Sequence, residues 1–282
     1  MKLVRYGNPG HEKPGCIDQH GNIRDLSHLI PDIAENVLLP EKIDALRHVD
    51  IEGLPIINNH PRLGPCVTQV GKFLCIGLNY VHHAIETGSE IPTEPIIFLK
   101  ATSAITGPND PIIIPTGSTH TDWEVELGVV IGKVAKRIKE EDALDYVAGY
   151  CVVNDISERH YQKFNTSQWS KGKSCDTFGP IGPWLVTQDE IIDPQQLSLW
   201  LEVDGKRYQN SNTNDMIFSI KYIVSYLSQF FTLYPGDLIS TGTPPGVGLG
   251  QKPTPVYLTP GQNMRLGISG LGEQHHQTIA ER

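Results

Sequence analysis

The chain has 282 residues, 39% of them hydrophobic, with 23 Lys and Arg against 32 Asp and Glu and a formal charge of −9. That length supplies one substantial core, or one large and one small domain. An acidic chain without a basic run is a poor fit for nucleic acid or an anionic lipid surface. No stretch approaches the roughly 20 apolar residues of a membrane helix. The opening stretch Met1 to Gly15 also lacks an apolar signal core.

Cys16, Cys66, Cys75, Cys151 and Cys175 are scattered, with no Cys-x-x-Cys pair, so neither a zinc knuckle nor a disulfide framework is indicated. The expectation is a cytoplasmic protein with a small-molecule partner and no nucleic-acid or membrane partner. The 27 glycines and 21 prolines fall singly or in pairs between apolar runs. That is the pattern of many short strands joined by tight turns.

In chain order, residues 1–70 read as a small α+β domain. Cys16-Ile17-Asp18, a Gln-His-Gly-Asn turn and Ile23 to Leu26 form a hairpin pattern, and Ser27 is placed to cap a short helix. Leu54 to Pro65, with three prolines, reads as a linker. Residues 71–282 form the second unit. Phe73 to Gly77, Ile96 to Leu99, Pro111 to Ile114, Leu127 to Ile131 and Tyr150 to Val153 are short apolar runs without alternation, as in strands buried on both faces. Between the first two, Tyr80 to Gly88 reads as a short helix closed by Gly88. Leu199 to Val203 followed by Asp204-Gly205 is a two-residue hairpin signal. Asn214 is a candidate N-cap for a helix carrying Met216, Ile217, Ile220, Ile223, Val224 and Leu227 at helical spacing. Strands near Met264 to Ile268 and Thr278 to Ala280 close the chain. No βαβ repeat occurs, which argues against a doubly wound sheet and for a strand-dominated α+β fold.

The segment Asp122-Trp123-Glu124-Val125-Glu126-Leu127 is the most informative. Strand side chains alternate faces, so Glu124 and Glu126 point the same way and Asp122 is placed to join them. Adjacent carboxylates in an apolar strand each lose several kcal/mol of hydration unless compensated. Asp155 ends a second apolar run, Tyr150 to Val153. Three carboxylates without His or Cys suit a hard cation, Mg²⁺ first and Mn²⁺ as a substitute. The competing reading of the same residues is a solvent-facing edge strand. On the helix at Tyr80 to Gly88, His83 with Glu86 at i,i+3 and His82 with Glu86 at i,i+4 are both able to pair.

Taken together, Gly77-Leu78-Asn79-Tyr80 with His83 and Glu86, Glu124-x-Glu126, Asn154-Asp155-x-Ser157, Lys171-Gly172-Lys173-Ser174 with Asp176 to Pro180, and Ser240 to Gly248 resemble, in order, the motifs of the fumarylacetoacetate hydrolase family. The resemblance implies a mixed β-roll catalytic domain behind a small N-terminal domain. It implies a divalent metal held by Glu124, Glu126 and Asp155, and a homodimer. It implies His83 as the base oriented by Glu86 and Lys173 as donor to an oxyanion. Lys100, Arg159, Gln162 and Thr243 follow as substrate-binding positions. Two departures stand out: Ala101 where relatives often carry Pro, and His160 where an Asp often follows the Arg, which bears on the pairing of Arg159 and on the substrate class. The Gly-rich stretch Gly242 to Gly250 lacks the Gly-Lys-Ser/Thr ending of a phosphate loop. Amides near Thr243 are placed to meet a substrate anion.

The implied reaction is Mg²⁺-dependent C–C hydrolysis of a 2,4-dioxo carboxylate, an acylpyruvate or a 2,4-diketo-3-deoxy sugar acid, in catabolism. The implied products are pyruvate and a second carboxylic acid. Ureidoglycolate lysis, 2-oxo acid isomerisation and oxaloacetate decarboxylation share the same platform. A non-catalytic metal- or anion-binding protein that kept the fold is the alternative of another class.

Overall fold

A computed structural model describes residues 1–164 and 168–282. Among the described residues the strands build a large sheet, a smaller one and a two-stranded pair, Thr121–Asp122 with Ser157–Glu158. In the larger, the strand order is Ile56–Ile57, Ile23–Asp25, Lys13–Ile17, Lys2–Tyr6, Gly179–Thr187, Val147–Asn154, Val125–Ile131, Leu238–Ser240, Phe73–Gly77 and Ile96–Lys100. Along this path only Leu238–Ser240 and Phe73–Gly77 run parallel. The smaller sheet runs Lys206–Asn212, Ser198–Val203, Asn263–Ile268, Gly272–Ala280 and Ile112–Ile114. The strand-dominated α+β expectation holds, with short helices on the outside.

Val125–Ile131 and Val147–Asn154 are buried throughout. Val125, Leu127, Val129 and Val152 share one core with Leu199, Leu201 and Leu266 of the smaller sheet. Val130, Cys151 and Val153 belong to a second core with Leu3, Leu38 and Ile43. A sheet covered on both faces explains why these runs carry no polar alternation. Glu124 and Glu126 fall in the same alternate set as Val130. Register does the rest: Val125 pairs with Asn154 and Glu126 with Val153. The Asp155 amide donates to the Glu124 carbonyl at 2.9 Å. The end of one central strand therefore delivers its carboxylate beside those of the next.

The N-terminal hairpin forms as expected, Lys13–Ile17 against Ile23–Asp25. The strands of residues 1–70 extend the large sheet, with Leu3 opposite Leu185 and the Met1 amine on Thr187 Oγ1 at 2.6 Å. Ser27 caps no helix. Its amide donates to Asp25, and the next helical turns start at Glu35 and Pro40. The long helix is Ile220–Phe230, with Ser219 as its N-cap accepting from the Tyr222 amide at 3.1 Å. Asn214 instead lies in a single 3₁₀ turn, Thr213–Asp215, that Asn212 caps. The two observed caps, Asn212 and Ser219, lie seven residues apart, about two helical turns, and spacing alone chose a residue between them. Asp204 (φ 48°) and Gly205 (φ 77°) make the expected tight hairpin turn. The five cysteines are free. Among the described residues, no helix is long and apolar enough to cross a membrane.

Candidate active site

Glu124, Glu126 and Asp155 each present a carboxylate oxygen, all within 4.8 Å of one another and all buried. Glu124 and Glu126 line a pocket together with His83, Arg159, Gln162, Lys173 and Thr243, and Asp155 lies beside them. The pocket is narrow, about 30 Å³, with room for about two waters.

The charges around the three carboxylates are unequally balanced. Lys173 Nζ donates to Glu124 Oε2 and Asp155 Oδ2, both at 2.7 Å. Lys100 Nζ lies behind Asp155, 2.5 Å from its Oδ1 and 3.1 Å from the Ile156 carbonyl. Arg159 donates from Nε to Asp122 Oδ2 at 2.8 Å, and its Nη2 lies 2.6 Å from Glu124 Oε1. The Nη2 contacts are off hydrogen-bond angle, so they are charge contacts and not directed bonds. Burial pushes the Glu124 carboxyl up, but Lys173, Arg159 and His83 outweigh it and hold it well below the ordinary carboxylate range.

Glu126 is the exception. Among the described residues it accepts hydrogen bonds only from neutral donors, Ser240 Oγ at 2.6 Å and the Gly242 amide at 2.8 Å. Burial, then the Asp155 and Glu124 charges, push its carboxyl well above the ordinary range. A buried carboxylate cluster with one member lacking a cationic partner, and with oxygen donors only, fits a divalent hard cation.

His83 Nδ1 lies 2.9 Å from Glu86 Oε1. His82 is exposed on the same helix, Val81–Glu86, and has no contact with Glu86 among the described residues. The alternative left open by spacing is settled by burial: the helix turns His83 inward. In the neutral ring, an Nδ1–H donating to Glu86 leaves the lone pair on Nε2. Glu86 is itself fixed by the Gly246 amide, at 3.0 and 2.9 Å to its two oxygens.

The Gly-rich stretch differs from expectation. Its amides hold the protein's own carboxylates: Gly242 on Glu126, Gly246 on Glu86, and Gly248 and Leu249 on Asp122 at 2.6 and 3.0 Å. Glycine is required at Gly246, where φ is 107° and a Cβ would stand 2.0 Å from the Tyr208 carbonyl oxygen. Thr243 lines the pocket, yet its hydroxyl donates to the Val125 carbonyl at 3.0 Å and accepts from Gln209 at 2.8 Å. Lys100 does not line the pocket; its ammonium braces Asp155.

Asp122 does not join the other three carboxylates. Besides Arg159 it accepts from the Trp123, Gly248 and Leu249 amides. With His160 beside it in sequence, Arg159 has its ion pair with Asp122. Arg159 Nη1 in turn donates to Gln162 Oε1 at 3.0 Å. Asp122→Ala should cost about 3–5 kcal/mol, because it leaves a buried guanidinium short of one partner. Urea unfolding of the metal-free variant measures this, and a loss below about 1 kcal/mol would remove Asp122 as the anchor.

Lys163, Trp169, Phe98 and Ser89 also line the pocket and were not singled out from the sequence. Trp169 packs edge-on to Phe98, ring centroids 5.4 Å apart, over Gly77, where a Cβ would stand 2.4 Å from the indole. No spacing signal announces such contacts between distant segments.

Comparison with known proteins agrees with this geometry. The family profile described as "Fumarylacetoacetate (FAA) hydrolase C-terminal" matches residues 72–279. A protein of Burkholderia multivorans with a provisional hydrolase name is 61% identical over 282 residues, 100% of both chains. A maleylpyruvate hydrolase from Sphingobium sp. SYK-6, solved with a manganese(II) ion and pyruvate, is 28% identical with a TM-score of 0.83 over 100% of both chains. A 2-hydroxyhepta-2,4-diene-1,7-dioate isomerase from Mycobacterium marinum is 32% identical with a TM-score of 0.77, over 100% of this chain and 99% of its own.

Proposed function

From the premise that the chain belongs to the fumarylacetoacetate hydrolase family, we propose that it is a Mg²⁺-dependent hydrolase that cleaves a 2,4-dioxo carboxylate of the acylpyruvate class to pyruvate and a carboxylic acid. The observation that carries this reading is a cation-seeking carboxylate trio, two members of which line the same pocket as the histidine of a His–carboxylate pair. Mg²⁺ or Mn²⁺ held by Glu124, Glu126 and Asp155 would supply Lewis acidity toward the oxygens of a 2-oxo acid. His83 Nε2 takes a proton from water while Glu86 holds Nδ1–H. The hydroxide adds to the C4 carbonyl, the C3–C4 bond breaks, and its electron pair passes to the pyruvate half as an enolate, which takes up a proton. Lys173 supplies an ammonium donor to the developing oxyanion. The His83–Glu86 pair favours hydrolysis over decarboxylation, which requires no activated water.

The ultraviolet absorbance of an acylpyruvate should decay with the protein and Mg²⁺, stop in EDTA, and resume when Mg²⁺ or Mn²⁺ is restored. Undiminished decay in EDTA sinks the metal requirement. A protein silent toward acylpyruvates yet stabilised by Mg²⁺ with oxalate is a binding protein.

A further inference from the structure

We propose that Trp169 sets the size of the acyl group the site accepts, limiting it to short chains. The inference deepens the acylpyruvate reading and rests on it. The pocket lining divides by chemistry. Glu124, Glu126, His83 and Lys173 serve the metal, the attacking water and the oxyanion in that reading. The apolar side chains of the lining are Ile76, Leu78, Phe98 and Trp169. An alkyl group beyond C4 offers nothing to the polar set, so it belongs against the apolar one.

Within that apolar set the indole of Trp169 is wedged in place. Its ring meets Phe98 edge-on, centroids 5.4 Å apart. Phe98 is itself buried, with the Lys173 ammonium 5.2 Å from its ring centroid. On another side the indole fills the space that a Cβ would take at Gly77, 2.4 Å from its Cζ3. The Trp169 carbonyl accepts from the Gly172 and Lys173 amides at 2.9 and 3.1 Å, which ties its backbone to the turn that carries Lys173. The space left in the pocket is about 30 Å³. Each methylene added to the acyl chain therefore meets packed side chains, and forcing extra methylenes into a packed wall is unfavourable.

The test measures binding of 2-oxopentanoate, which has the chain length of acetylpyruvate, and of 2-oxooctanoate, three methylenes longer. Titration calorimetry with Mg²⁺ present reads both without turnover. A roomy apolar pocket would favour the longer ligand by roughly 50-fold, the worth of three buried methylenes. Wild type should instead bind the longer ligand about tenfold more weakly than the shorter. Trp169→Ala should reverse that order and leave the affinity for 2-oxopentanoate unchanged, because the backbone, not the indole, bonds Gly172 and Lys173. Trp169→Leu keeps apolar cover over Phe98 with a smaller side chain, and should shift the ratio in the same direction if the alanine variant fails to fold. A wild type that binds the longer ligand as tightly as the shorter, or more tightly, overturns the size limit alone. An unchanged ratio in the variants also overturns it. So does a selective loss of 2-oxooctanoate binding in Trp169→Ala, which would make the indole a contact for the chain. Binding of neither ligand to wild type overturns the 2-oxo acid reading together with the size limit.

Discussion

Glu126→Gln is expected to abolish Mg²⁺ binding and turnover while leaving the metal-free protein at least as stable as wild type. The amide keeps the shape and an oxygen for Ser240 and Gly242, but removes the one carboxylate without a cationic partner. Losing that ligand should lower kcat by about 10³-fold or more, the several kcal/mol a metal supplies. The stability effect has a definite pH signature. In the metal-free protein burial, then Asp155 and Glu124, hold the folded carboxyl well above 4.5. The unfolded chain therefore gives up this proton first, and above about pH 4.5 the folded state binds more protons. Stability from this group is present below that pH and is lost as pH rises. Melting temperatures in EDTA between about pH 5 and pH 8 should fall less steeply for Glu126→Gln than for wild type. A variant that binds Mg²⁺ as wild type does, or melts well below it in EDTA, contradicts the assignment.

His83→Ala is expected to lower kcat by about 10²–10⁴-fold, the usual worth of a positioned general base, with metal affinity retained. Among the described residues His83 hydrogen-bonds Glu86 and makes no hydrogen bond to the three carboxylates. Glu86 remains anchored by Gly246, so the loop beneath should hold its place. Calorimetric Mg²⁺ titration alongside the rate separates the two roles. Loss of metal in this variant would make His83 a ligand.

Much of the site was legible because it depends on local rules. The same-face placement of Glu124 and Glu126 follows from strand alternation, and the His83–Glu86 contact follows from helical spacing. Spacing did not choose between His82 and His83, because that depends on which helix face is buried. Asp155 entered the trio through register, which no local pattern carries. The partners of Arg159, Lys100 and the Gly-rich stretch were harder still. Asp122 and Gly248 lie 126 positions apart, and nothing in either segment announces the other. The helix start was misplaced by five residues for a simpler reason: Asn212, Asn214 and Ser219 are all residue types that cap helices.

One short loop grips Glu126, Glu86 and Asp122 through its backbone amides. Ion coordination, proton abstraction and the arginine anchor thus share a single mechanical support. Any displacement of that support would detune all three together, so this wall has little freedom to diverge. Adaptation to new substrates is then expected at lining residues outside that loop, such as Lys163 and Trp169.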